Sequence, residues 1–216
     1  MGAKYIGEDE LQPCYFQPNY PVKYFREEPL VIKAKTEKVE GTGAILAKKL
    51  YPYFNRSAES FCSHLHTPCD YEKEGAGITQ GKDGAYISAH IFADYKRTGN
   101  MADKLLVAPI LDDLLGERIV RTNLPSQAKV SMVQTDDGDV LHLLFANTIK
   151  RGQGIEIIED IVLLVDVSVD VKVQGRVKGV SLLPNKTPIA FTQTGDRIAF
   201  TVDKFRVHAA ILIEKE

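Results

Sequence analysis

Cys62, His64, His66 and Cys69 fall within one short run, Phe61-Cys-Ser-His-Leu-His-Thr-Pro-Cys69. All four are competent zinc ligands. Zinc modules usually place paired ligands two to four residues apart on separate arms, and this run does not follow that plan. On an extended segment His64 and His66 would share a face, which Cys62 would join only while the extension persisted. The expectation is a packed turn with hydrogen-bonded histidines and no metal. A nucleophilic Cys62, paired with His64 or with a distant histidine as its base, would also need an oxyanion donor close by. No strand–elbow–helix pattern surrounds Cys62, so no catalytic residue and no cofactor is assigned. Glu156, Glu159 and Asp160 are clustered, but they open a strand and read as solvated edge charges rather than a glycosidase carboxyl pair. Gly41-Thr-Gly43 and Gly152-Gln-Gly154 lack the third glycine of a phosphate-cradling loop. Just upstream of the cysteine–histidine run stands Tyr51-Pro-Tyr-Phe-Asn-Arg-Ser57. Aromatic and arginine side chains are the usual anchors of interfaces, and aromatic rings also stack on sugars. The candidates for an interface or sugar-facing surface are Tyr51, Tyr53, Phe54, Asn55, Arg56, Phe61, His64 and His66. Ordinary burial of the same aromatics is the competing reading.

These residues belong to a chain of 216 amino acids with 44% hydrophobic and 26% charged residues, an ordinary globular composition. Lys and Arg number 27 against 29 Asp and Glu, a net charge of -2. No strong field is available to hold a nucleic-acid backbone or an anionic membrane, so neither partner is expected. No apolar run approaches the roughly 20 residues of a membrane span. Three cysteines at irregular spacing make a poor disulfide framework; reduced thiols and a cytoplasmic setting are favoured, with a Cys62–Cys69 bridge as the one alternative. A (β/α)₈ barrel takes about 250 residues, so no complete barrel enzyme fits.

Composition changes near residue 119. Residues 1–118 carry every cysteine, an opening punctuated by Pro13, Pro18, Pro21 and Pro29, and the only strong helix signal. Pro29–Lys35 and Gly43–Leu46 read as strands, and Ser57–His64 as a helical turn with Ser57 as N-cap. Gly75–Gln80 and Ala85–Ile91 flank a Lys82-Asp83-Gly84 turn. A helix follows from about Asn100 to Leu115, stopped by Gly116, with Pro109 expected to kink or restart it. Strand followed by helix suggests an α/β layer. Residues 119–216 alternate like strands almost throughout. Lys129–Thr135 and Val140–Ala146 flank Asp137-Gly138, and Val165, Val167, Val169, Val171 and Val173 alternate with polar residues. Some seven short strands predict a β-sandwich.

The run YPYFNRSAESFCSHLHTP, Tyr51–Pro68, resembles a signature of a glycoside hydrolase family related to barrel β-galactosidases. Further matches follow in order: AYISAHIFADYKRTGN, RTNLPSQAKVSM, LHLLFA, IIEDI and VHAAILIE. They extend the likeness from about Tyr5 to Glu214. The resemblance implies an N-terminal catalytic barrel, then a glutamine-amidotransferase-like α/β trimerisation domain, then a C-terminal β-sandwich. On that plan residues 1–118 are the later half of the α/β domain and residues 119–216 are the sandwich. The barrel and its two catalytic glutamates have no counterpart here, so the expected role is non-catalytic: subunit contact in a homo-oligomer, and support of the active-site mouth of a barrel in the same polypeptide. A free-standing carbohydrate-binding protein and an independent Cys/His enzyme are the rival classes.

Overall fold

The computed structural model describes residues 1–216 and divides into two units, Met1–Gly116 and Glu117–Glu216. Strands take up 52% of the residues and helices 11%.

The first unit contains β1 Ala3–Glu8, β2 Cys14–Pro18, β3 Leu30–Ile32, β4 Glu37–Gly41, β5 Ala44–Pro52, β6 Cys69–Gly81 and β7 Gly84–Ile87, then α1 Ile91–Thr98 and α2 Met101–Leu115. Strands β3-β2-β5-β6-β7 form a sheet in that order, antiparallel at every pairing. β1 and β4 make a separate antiparallel pair. The expected α/β layer of amidotransferase type is therefore incorrect. Such a layer needs parallel strands joined by helical crossovers, and here hairpin and meander connections join antiparallel neighbours. The two helices follow the strands in sequence and cover one face of the sheet. Phe16, Ala47 and Ile78 from the strands meet Ile91, Leu106, Val107 and Ile110 from the helices in one core.

α2 begins where the sequence signals it. Asn100 caps it by accepting a hydrogen bond from the Ala102 N–H at 3.1 Å, and Gly116 closes it at φ 66°. Pro109 lies inside an uninterrupted helix rather than at a restart. The proline removes one backbone donor, and on the preceding turn the Tyr20 hydroxyl donates to the Leu106 carbonyl at 2.8 Å. No helix is long and apolar enough to cross a membrane.

The second unit is built from β8 Val120–Thr122, β9 Lys129–Thr135, β10 Gly138–Leu144, β11 Thr148–Gly152, β12 Ile155–Ile158, β13 Leu163–Lys172, β14 Val177–Leu182, β15 Thr187–Pro188, β16 Phe191–Thr194, β17 Arg197–Arg206 and β18 His208–Lys215. One sheet runs β15-β14-β18-β10-β9 and another β16-β17-β13-β8. Leu141, Leu143, Ile211 and Ile213 of the first sheet pack with Val167, Val169, Val171, Ile198 and Phe200 of the second in one core. The two layers thus make a sandwich with alternating inward residues. The turn into β10 requires its glycine: Gly138 has φ 137°, and a Cβ there would lie 2.3 Å from the Ile213 carbonyl oxygen.

The expected alternation through Val165 stops two residues short. Val167 is buried, but Asp166 sits at φ 50° and Val165 is exposed, while Leu164 turns back to the core. Opposite them, Val202 and Phe205 are both buried with Asp203 and Lys204 outside. Each strand carries two outward residues between inward ones, so the pairing Leu164↔Phe205 and Val167↔Val202 holds.

Candidate interface and sugar-facing surface

Residues 53–68 leave the sheet at the end of β5 and return to it at β6. The β5–β6 ladder shifts register there: Leu50 pairs with Glu74, but Tyr51 pairs with Asp70 and Pro52 with Cys69. Residues 71–73 bulge outward at this shift, leaving the Tyr71 side chain exposed.

Tyr51 does not join the surface. Its hydroxyl donates to Asp9 Oδ1 at 3.0 Å, and the Lys49 ammonium lies 5.4 Å from its ring centre. Burial, then the Asp9 charge, raises the phenol's pKa above its ordinary value. Lys49 is fully buried, ion-paired to Asp9 Oδ2 at 2.6 Å and donating to the Glu37 carbonyl at 2.5 Å. The buried Cys14 beside this network has its thiol pushed up to about 11, chiefly by burial. This charged centre was not foreseen. Its signal was Lys48-Lys49 inside an otherwise apolar strand.

Asn55 anchors the loop from both ends of its amide. Its Nδ2 donates to the Glu10 carbonyl at 2.6 Å, and its Oδ1 accepts from the Gln12 N–H at 2.8 Å. At the far end the Tyr15 hydroxyl donates to the Thr67 carbonyl, and Thr67 Oγ1 donates to the Phe54 carbonyl at 3.3 Å. Between these ties, Arg56 donates to the His64 carbonyl at 2.9 Å and lays its guanidinium 5.0 Å from the Phe61 ring centre. The structure therefore brings Arg56, Phe61 and His64 together. Tyr53, Phe61 and Leu65 are exposed at 53%, 69% and 75%. The expected helical turn over Ser57–His64 is absent. Ser57 Oγ does accept from the Glu59 and Ser60 N–H groups as an N-cap would, but the Ser57 N–H bonds back to the Ser60 carbonyl and closes a turn.

His66 lies 6.2 Å from the Tyr15 ring and lines a cleft of about 610 Å³ with Phe25, Lys33, Asp94, Thr98 and Asn100. Asp94, Asp103 and Asn100 meet at the α1–α2 junction. Burial, then the Asp94 charge, pushes the Asp103 carboxyl up to about 6, and its Oδ2 has no hydrogen-bond partner. Cys14, Cys62 and Cys69 are free thiols. No group of three or more His, Cys, Asp or Glu is placed to hold a metal ion. In the second unit, Glu156 accepts from Thr148 Oγ1 and Glu159 pairs with Arg151, all of them at the surface.

Whole-chain comparison gives the class to which this architecture is similar, the glycoside hydrolases. One solved structure that this chain resembles is α-L-fucosidase isoenzyme 2 from Paenibacillus thiaminolyticus, at a TM-score of 0.92 and 34% sequence identity. The match covers 100% of this chain and 34% of that one, so the chain spans about a third of the fucosidase's length. No protein-family model and no curated protein matches. The relationship to glycosidases thus holds, while the neighbour's name is that of a fucosidase rather than a β-galactosidase.

Proposed function

We propose that this chain is a non-catalytic part of a glycoside hydrolase that acts on α-L-fucosides. It serves subunit contact in a homo-oligomer and supports the mouth of the active site carried by a catalytic barrel elsewhere in the same polypeptide. The observation that carries this reading is the complete coverage of the chain by one third of a fucosidase at 34% identity. Surface chemistry supports it. Tyr53, Phe61 and Leu65 project from a loop held by backbone-directed hydrogen bonds, an arrangement suited to presenting fixed apolar anchors. The outward side chains of the helices add Phe92, Met101, Leu111 and Leu115, each about half exposed or more.

The test is direct. The chain alone is expected to release no nitrophenol from nitrophenyl α-L-fucoside or β-galactoside, and to sediment as an oligomer whose mass falls on dilution. Turnover by the chain alone would overturn the non-catalytic reading, and a monomer at every concentration would remove the subunit-contact role. The cleft at His66 favours a second reading, direct contact with a saccharide. Phe25 and His66 line it together with Glu28, Lys33 and Thr98, a combination of rings and polar groups suited to a polyol. Chemical-shift changes at Phe25 and Asn100 on titration with fucose are expected on that reading.

A further inference from the structure

The sheet β16-β17-β13-β8 buries Val169, Val171, Ile198 and Phe200 in the sandwich core. The residues between them point outward, and the register sets them in rows. One row crosses all four strands: Thr192 faces Ala199, Ala199 faces Asp170, and Asp170 faces Arg121. In the next row Thr201 faces Ser168. Asn123 extends that row past the end of β8, accepting from the Ser168 N–H at 3.0 Å and donating to the Asp166 carbonyl at 3.1 Å. Most of these side chains are short, so the face sinks into an open groove of about 830 Å³.

The floor offers methyl and hydroxyl groups and no outward aromatic ring. The hydroxyls of Ser168, Thr192 and Thr201 are exposed and have no partner within the chain. Asp170 is already neutralised, since Arg197 donates to its Oδ1 at 2.5 Å. Lys172, at one end of the sheet, is paired with Glu117 and Asp196. Arg121 is exposed and forms no ion pair. Asp166 and Asp203 are not part of the lining. Each lies four residues along its strand from the row of Arg121, about 13 Å away, which exceeds the screening length of about 8 Å at physiological salt. One uncompensated charge therefore remains in the groove, the guanidinium at its β8 wall.

We propose that this groove binds an acidic oligosaccharide, with a uronate carboxylate on Arg121 and ring hydroxyls on Ser168, Thr192 and Thr201. A guanidinium meets a carboxylate through two parallel hydrogen bonds. A serine or threonine hydroxyl can both donate to and accept from a sugar hydroxyl, and the alanine and threonine methyls lie against C–H groups. Ring stacking, on which neutral sugars draw, has no platform here, so the charge selects the ligand. Four strands span about 14 Å, room for more than one pyranose ring. The occupant follows from the lining and not from the fucosidase likeness, so the two stand or fall separately.

The experiment titrates the full chain with trigalacturonate and follows backbone amide shifts. Two controls separate the parts of the ligand: the methyl-esterified trisaccharide keeps the rings without the charge, and sodium acetate keeps the charge without the rings. Trigalacturonate is expected to shift Ser168, Thr192, Ala199 and Thr201 to saturation, and acetate to leave them in place. The ester is expected to bind about fivefold more weakly, the worth of one solvent-accessible ion pair. Arg121→Gln is expected to lose the same factor toward the acid and nothing toward the ester, while Ala199→Phe, which fills the groove, weakens both. Equal affinity for acid and ester, an unchanged affinity for the acid in Arg121→Gln, or shifts confined to the first unit would each overturn the proposal.

Discussion

The Lys49–Asp9–Tyr51 centre and the sandwich core solve the same problem of holding strands together by opposite means. In the sandwich, side chains such as Val169, Phe200 and Ile211 bury apolar surface across two sheets, and each contact is worth its area removed from water. In the first unit a buried cation and carboxylate are held by one another, a carbonyl and a phenol. Two charges have been taken out of water there, and their mutual contact, with the hydrogen bonds to the Glu37 carbonyl and from the Tyr51 hydroxyl, offsets that cost. The apolar core tolerates loss in proportion to volume. The charged centre fails when either half is removed.

The sharpest test of that contrast is Asp9→Ala, which leaves the Lys49 ammonium buried without its partner. A loss of about 3–5 kcal/mol is expected in denaturant unfolding, while the double replacement Asp9→Leu with Lys49→Met is expected to recover most of it. Ile211→Ala, at a fully buried core position, is expected to cost about 3 kcal/mol through lost burial and the cavity left behind. If the single charge removal proved milder than this truncation, the contrast would fail.

Asp103 extends the comparison to pH. Its folded-state carboxyl titrates at about 6, above its ordinary value near 3.8. The folded chain therefore holds a proton that the unfolded chain has released, and stability falls as pH rises between those values before levelling. Asp103→Asn keeps an acceptor for Asn100 Nδ2 and removes the charge. It is expected to flatten that slope and to stabilise the chain at pH 7 by about 1–2 kcal/mol. An unchanged slope would place the titration elsewhere.

An effect of similar size is expected at Asn55. Asn55→Ala removes two hydrogen bonds to the 10–12 segment and is expected to cost about 1–2 kcal/mol. Amide exchange over residues 53–68 is the better readout, because protection should fall there and not in the sandwich.

These contrasts also mark what could be read from the sequence. β9, the Asp137-Gly138 turn and the ends of α2 were legible because their signals are local: period-two alternation, a turn glycine, an asparagine cap. α1 was not. Ile91 is its one buried apolar residue, and Phe92 and Tyr95 face outward, so no apolar stripe announces it. The β11–β12 hairpin was missed because Ile155, Ile157 and Ile158 are all exposed, which leaves no alternation to read. Among the candidate site residues, Arg56, Phe61 and His64 come together through short-range contacts. Tyr51 is drawn away by Asp9, some forty positions upstream, and Asn55 is tied to Glu10 and Gln12 at a similar separation. Partners at that range leave no periodic trace.

The matched outward pairs on β13 and β17 carry a consequence for how this domain tolerates changes in length. Removing one residue at Asp166 alone would leave Leu164 facing inward but slide it off Phe205 and opposite the outward Lys204. Removing Asp166 and Asp203 together would leave both strands in step, with plain alternation restored. The two sites therefore form a linked pair for insertion and deletion: a change in one strand is expected to be accepted only alongside its counterpart in the other.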